Sequence, residues 1–225
     1  HEMLFFLGMR LTGSPDQGAI VGQMLGGAMG FFAALALARM TGGLAGRTAG
    51  LVAAAAFYTW PAVTLYSGMP YVELPLLFYG TLALWGVLWA WRRKRTAPRG
   101  PRWIVLAGIA AGLAMGVKYT AALLVAVPLA AWLVVLAVAA RRGWKEGARR
   151  AAVFVGVAFL AFLPWMARNW VNTRNPVYPL LYKVFGSSNW DAQKDARWTQ
   201  AHSPKDRSPA NFAKQLNEVF FFGEH

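Results

Sequence analysis

The sequence predicts an all-α integral membrane protein: a polytopic bundle of about six transmembrane helices in this stretch, with an extracytoplasmic C-terminal segment. Three observations carry that prediction. The 225 residues are 57% hydrophobic and only 14% charged, a balance typical of membrane rather than soluble chains. Several apolar runs reach or approach the roughly 20 residues that cross a bilayer as a helix. The basic residues behind the net charge of +14 fall in short clusters between those runs, as in loops kept in the cytoplasm. That placement argues against nucleic acid as the partner the charge serves.

The first expected span covers 18–38 and ends at Arg39. The second covers 49–66, with Pro61 as a kink near its end, and the third covers 72–91, followed by the basic run RRKRTAPRGPR. Residues 103–140 are apolar except for Lys118. As one helix that stretch would be about 57 Å long, against a hydrocarbon core of about 30 Å. It is read instead as two spans, 103–117 and 119–140, turning near Lys118–Tyr119. The last span is 151–167.

Charge gives an independent check on this count. With two spans in 103–140, the clusters at Arg39/Arg47, Arg92–Arg102 and Arg141–Arg150 share one side of the membrane, satisfying the positive-inside rule. The other side then carries Glu73, Lys118, Arg168 and everything after it. Residues 1–170 thus form the transmembrane bundle and 171–225 an extracytoplasmic or interfacial segment. Glycines at four-residue spacing (Gly22, Gly26, Gly30; Gly108, Gly112, Gly116) are read as close helix–helix contacts and carry no functional claim. In the tail, NTRNPVYPLLY has turn chemistry. SSNWDAQKDARWTQAH reads as a short helix capped by Ser187 or Ser188, with Asp191 in its first turn.

Cysteine is absent, and His1, His202 and His225 are scattered, so neither a disulfide framework nor a zinc-type cluster is visible. No phosphate-binding glycine loop, serine nucleophile elbow or HExxH is present. What remains is a few polar groups on the outer face. Glu73, in MPYVELPLLF, is the only acid between Asp16 and Glu146. A helix start beside Pro75 already favours an acid there, yet ionisable groups at membrane depth are often functional. Lys118 could simply snorkel, or hold a lipid-linked phosphate by charge and hydrogen bonding. Arg168 has the same two readings, with interfacial anchoring as the simpler.

Here the chain resembles a known family. GLAMGVKYTA (112–121) is similar to the G-L-x-x-G-x-K-Y-T signature of bacterial multi-span glycosyltransferases of the GT-C architecture, the group of protein O-mannosyltransferases, aminoarabinose transferases and glycosyltransferase family 39. PWMARNWVNTRNPVYPLLYKVFG (164–186) resembles their P-W-x-x-R-N-x-x-x-T-x-N-P-V-Y-P segment. MPYVELPLLF resembles their A-Y-V-[DE]-L-P stretch, and HEMLFFLGMRL resembles the segment before their next apolar helix. The matches occur in family order along nearly the whole chain.

The resemblance implies transfer of a sugar from a polyprenyl-phosphate-linked donor to a lipid, glycan or protein acceptor, in the bacterial inner membrane with the active face extracytoplasmic. Such transferases need a carboxylate as general base or to organise a metal near the phosphate, and basic groups to offset the charge on the departing phosphate. It assigns Glu73 as a supporting carboxylate and Lys118, Tyr119, Arg168, Asn175 and Tyr178 to the donor-phosphate side of the site. Turn chemistry for Asn175 and an interfacial aromatic role for Tyr178 are the plainer alternatives. The cofactor stays open, with a divalent metal as one option. The main catalytic acid of this family lies in the first external loop, which is expected upstream of residue 1, so the chain is read as an internal fragment lacking it. A transporter or lipid flippase is the alternative class, and a membrane scaffold with a partner-binding tail the third. Midplane charges or repeats would favour transport, whereas the charges here sit at span ends.

Overall fold

A computed structural model describes residues 2–92, 100–203, 206 and 208–217. Its elements are helical, as the sequence predicts for an all-α polytopic membrane protein. The chain divides into two compact units, 1–165 and 166–225, and each is described by itself.

The first unit opens with α1 (Glu2–Thr12) and the long α2 (Pro15–Ala45). Ser14 caps α2 by accepting from the backbone N–H of Gln17, with Pro15 and Asp16 in the first turn, the residue types an N-terminus favours. Gly46, at φ 96°, reverses the chain directly into α3 (Arg47–Thr59), a conformation that excludes most side chains. The hairpin closes tightly because a carbon added to Gly50 would strike the Ala38 carbonyl and the Gly42 backbone.

Pro61 breaks the next span. Trp60 before it is extended, at ψ 127°, as steric clash with the proline ring dictates. α3 and α4 (Pro61–Ser67) consequently meet at a 66° bend. A short loop leads into α5 (Glu73–Arg92), then α6 (Gly100–Val117). The chain turns at Lys118–Thr120 and resumes as a π-helical turn, Ala122–Ala126, continuous with α7 (Val127–Ala139). α8 (Trp144–Thr173) contains Pro164.

Helices α5, α6, α7 and the first part of α8 share one core of small and branched residues, among them Ala83, Val87, Ala107, Ala111, Leu133, Phe154 and Ala158. Gly108 and Gly112 of α6 lie against the Phe154 and Ala158 carbonyls of α8, where a methyl group would not fit. Such close approach substitutes packing for the hydrophobic drive that lipid removes. Large apolar side chains such as Leu51, Leu123, Leu124, Val135 and Leu160 point outward, which suits a lipid surround and not water.

Four helices among the described residues are long and apolar enough to cross a membrane, and five if the bent pair α3–α4 counts as one span. The expected count of six differs at 103–117. The apolar helix there, Arg102–Val117, is about 24 Å long at 1.5 Å per residue, short of a hydrocarbon core of about 30 Å.

The helices also sort charge. At the C-terminal end of α5, Trp89 fills the space left by Gly43 of α2, and Trp91 is covered by the guanidiniums of Arg142 and Arg150. Arg39, Arg47 and the Arg141–Arg150 cluster therefore gather at that end. Glu73, at the other end of α5, is about 27 Å away along the helix. Residues 93–99, part of the Arg92–Arg102 basic cluster, lie outside the described residues.

In the second unit, α9 (Tyr182–Phe185), α10 (Ala192–His202) and α11 (Pro209–Asn217) are short. The tail helix begins later than the sequence reading had it. Asp191 itself is the N-cap, extended at ψ 171° and accepting from the Lys194 backbone N–H at 2.8 Å. Ser187 instead takes the Asn189 N–H in a local turn, a competing bond that serine side chains readily make.

Candidate functional site

The α4–α5 loop and the α6–α7 turn come together at one end of the first unit. Val72–Glu73 starts α5, and the buried Leu74 and Pro75 fix its first turn into the bundle, which leaves the Glu73 carboxylate half-exposed at the rim. Lys118 follows the last residue of α6, and its backbone N–H still bonds the Ala114 carbonyl. Its ammonium donates to Glu73 Oε1 at 3.1 Å.

The Lys118 side chain is 46% exposed and that of Glu73 32%. An ion pair so open to solvent contributes about 0–1 kcal/mol. Its stability value is therefore too small to account for a lone acid and a lone lysine meeting between two apolar helices. What the pair does provide is orientation: the carboxylate holds the ammonium at the surface with further N–H donors available to a ligand.

Tyr119, next in the turn, is held from behind. Its hydroxyl accepts from Trp165 Nε1 at 3.1 Å, and its ring meets Phe162 edge to face at 6.0 Å. The phenol thus sits in a fixed position beside Lys118. Glu73 also lines a groove of about 360 Å3 beneath the α3–α4 bend, walled by Phe57, Trp60, Tyr66, Leu76 and Leu77. The groove is apolar with one charged rim, the shape of a place for an amphipathic ligand.

Within the second unit, Arg168 is exposed on α8 while the neighbouring Asn169 is buried. Asn175 is fully buried and its amide is spent on its own loop. Nδ2 donates to the Leu180 carbonyl at 2.8 Å and Oδ1 accepts from the Val177 N–H at 3.0 Å. Thr173, also buried, ties the same loop to the Asn169 carbonyl at 2.8 Å. Asn175 therefore shapes the N-P-V-Y-P segment through its side-chain amide. Tyr178 packs edge to face on Trp190 at 5.7 Å.

Of the residues singled out by sequence, the structure joins Glu73 to Lys118 and sets Tyr119 beside them in the turn. Arg168, Asn175 and Tyr178 belong to the second unit. Sequence reasoning missed Trp165, Asn169 and Thr173. Asn169 and Thr173 stand at i, i+4 on a helix otherwise rich in apolar residues, a pattern that signals a buried polar face.

A divalent cation does not fit the Glu73–Lys118 pair. Glu73 supplies the sole carboxylate and already shares it with an ammonium, whereas magnesium and calcium take several oxygen ligands. Among the described residues no group of three or more His, Asp or Glu could hold a metal ion.

Residues 2–167 match the family described as dolichyl-phosphate-mannose-protein mannosyltransferase. No curated protein and no solved structure matches the chain.

Proposed function

We propose that this chain, which belongs to the dolichyl-phosphate-mannose-protein mannosyltransferase family, moves a sugar from a polyprenyl-phosphate-linked donor to a lipid, glycan or protein acceptor on the extracytoplasmic face of a membrane. Membership makes it a membrane glycosyltransferase in general. The observation that carries the finer reading is the Glu73–Lys118 ion pair at the end of the bundle away from the basic clusters.

In the reaction an acceptor oxygen bonds to the anomeric carbon as the bond from that carbon to the donor phosphate breaks. The acceptor proton passes to a carboxylate base, and negative charge grows on the departing polyprenyl phosphate. Lys118 meets that charge, where a fixed cation is worth more than in water. Glu73 is a supporting carboxylate that aims the ammonium, and the principal base belongs to the family's first external loop. Tyr119, steadied by the Trp165 indole N–H, flanks Lys118 on the phosphate side. Arg168 is the other basic residue that the family resemblance assigns to the donor phosphate. Asn175 and Tyr178 shape the loop that follows it. The groove under the α3–α4 bend receives apolar substrate beside Glu73.

The full-length protein in proteoliposomes, given a panel of polyprenyl-phosphate-linked sugars, tests this reading. Donor-dependent sugar transfer supports it. Movement of lipid or solute across the bilayer without any transfer would replace it with a transport function.

A further inference from the structure

A second cavity lies at the opposite end of the first unit. It holds about 550 Å3 between the end of α2 and the start of α3, and its lining includes Leu35, Arg39, Gly42, Gly43, Arg47 and Leu51. The packing fixes its level. Gly26 and Gly27 of α2 lie against the Met69 and Ser67 carbonyls beside the Glu73 loop. Arg39, twelve residues further along α2, is about 18 Å deeper, at the end where Arg142 and Arg150 cover Trp91.

Three properties of the cavity select its occupant. Both arginines are exposed, and among the described residues neither is in an ion pair. The sequence has no acidic residue between Asp16 and Glu73 to neutralise them. The walls are glycine and aliphatic, with Leu35 and Leu51 on the bilayer side of the arginines. The first turn of α3 begins there as well, adding unpaired backbone N–H groups and the positive end of a helix dipole.

We infer that this cavity binds the phosphodiester headgroup of an anionic membrane phospholipid, on the face opposite the Glu73–Lys118 pair. Basic pockets between transmembrane helices hold such headgroups, and guanidinium matches phosphate oxygens bidentately. Acyl chains run along Leu35 and Leu51, which line the cavity beside the two arginines. The binding does not depend on the chain's catalytic activity.

The test is a titration of the purified full-length protein in neutral detergent with phosphatidylglycerol, read by native mass spectrometry, with phosphatidylcholine as the uncharged comparison. The wild type is expected to retain phosphatidylglycerol preferentially. The Arg39→Gln/Arg47→Gln double variant should bind it roughly thirtyfold more weakly, with each single variant in between, so the readout survives if the double variant does not fold. The Arg141→Gln/Lys145→Gln variant removes equal charge outside the cavity and should bind as the wild type does. Equal retention of the two lipids, a double variant that binds normally, or an equal loss in the Arg141/Lys145 control would overturn the inference. Displacement of the lipid by millimolar inorganic phosphate would overturn it too, as a site for free phosphate.

Discussion

Lys118 and Glu73, separated by 45 residues in sequence, meet at 3.1 Å where the turn after α6 faces the first turn of α5. Lys118 is the sole charged residue in 103–140, and Glu73 the sole one in 48–91. Their meeting makes one polar point on an otherwise apolar end of the bundle, and the predictions start from it.

The pair should matter for turnover and hardly at all for stability. Lys118→Met is expected to lower kcat by about 10²-fold, the size of a lost charge-stabilising donor. Glu73→Gln should lower it less, and the double variant should resemble Lys118→Met alone because the two act as a unit. Thermal unfolding of the three should differ from wild type by under about 1 kcal/mol. A stability loss that tracks the activity loss would make the pair a structural brace.

Tyr119→Phe keeps the ring contact with Phe162 and removes the acceptor for the Trp165 indole N–H. The expected cost is about 1 kcal/mol, read as a lowered midpoint of thermal unfolding. Turnover should fall as well, because the hydroxyl that steadies the turn beside Lys118 is lost.

Asn175→Ala should cost about 1–2 kcal/mol, since it strands the Val177 N–H and Leu180 carbonyl in a half-buried loop. The damage should be local. Limited proteolysis is expected to cut within 174–190 first, with the first unit left intact.

The repeated glycines of α6 should differ sharply. Gly112→Ala drives a methyl into the Ala158 carbonyl and the Ala161 side chain, costing on the order of 1–3 kcal/mol. Gly116 continues the same spacing, but nothing lies within 4 Å of an added carbon, so Gly116→Ala should fold like wild type or slightly better. Thermal unfolding of the two variants separates them directly.

The contrast between Gly112 and Gly116 also marks how far the sequence could be read. Their spacing pointed to helix packing, but the α8 carbonyls that one meets and the other escapes come from 46 or so residues later. Turns at Pro61 and Lys118 were legible because proline sterics and span length are local or additive constraints. Charge asymmetry sufficed to place Glu73 and Lys118 at one end, since the basic clusters had to gather at the other. It could not bring them to hydrogen-bonding distance, which depends on the register of α5 against α6.

Short-range competition hid other features. Ser187, Ser188 and Asp191 are all good caps, and only the fold selects Asp191. Trp165 did not stand out among 11 tryptophans, because its bond to Tyr119 joins α8 to a turn 46 residues away. Asn175 was legible as turn chemistry through Asn-Pro, but its full burial and its bonds to Val177 and Leu180 were not.

The most direct measurement compares donor-dependent sugar transfer by wild-type and Lys118→Met full-length protein in proteoliposomes, with release of polyprenyl phosphate followed alongside. The account predicts coupled transfer and release by the wild type, and about 10²-fold slower release by Lys118→Met at unchanged thermal stability. Equal turnover by a folded Lys118→Met protein would contradict it.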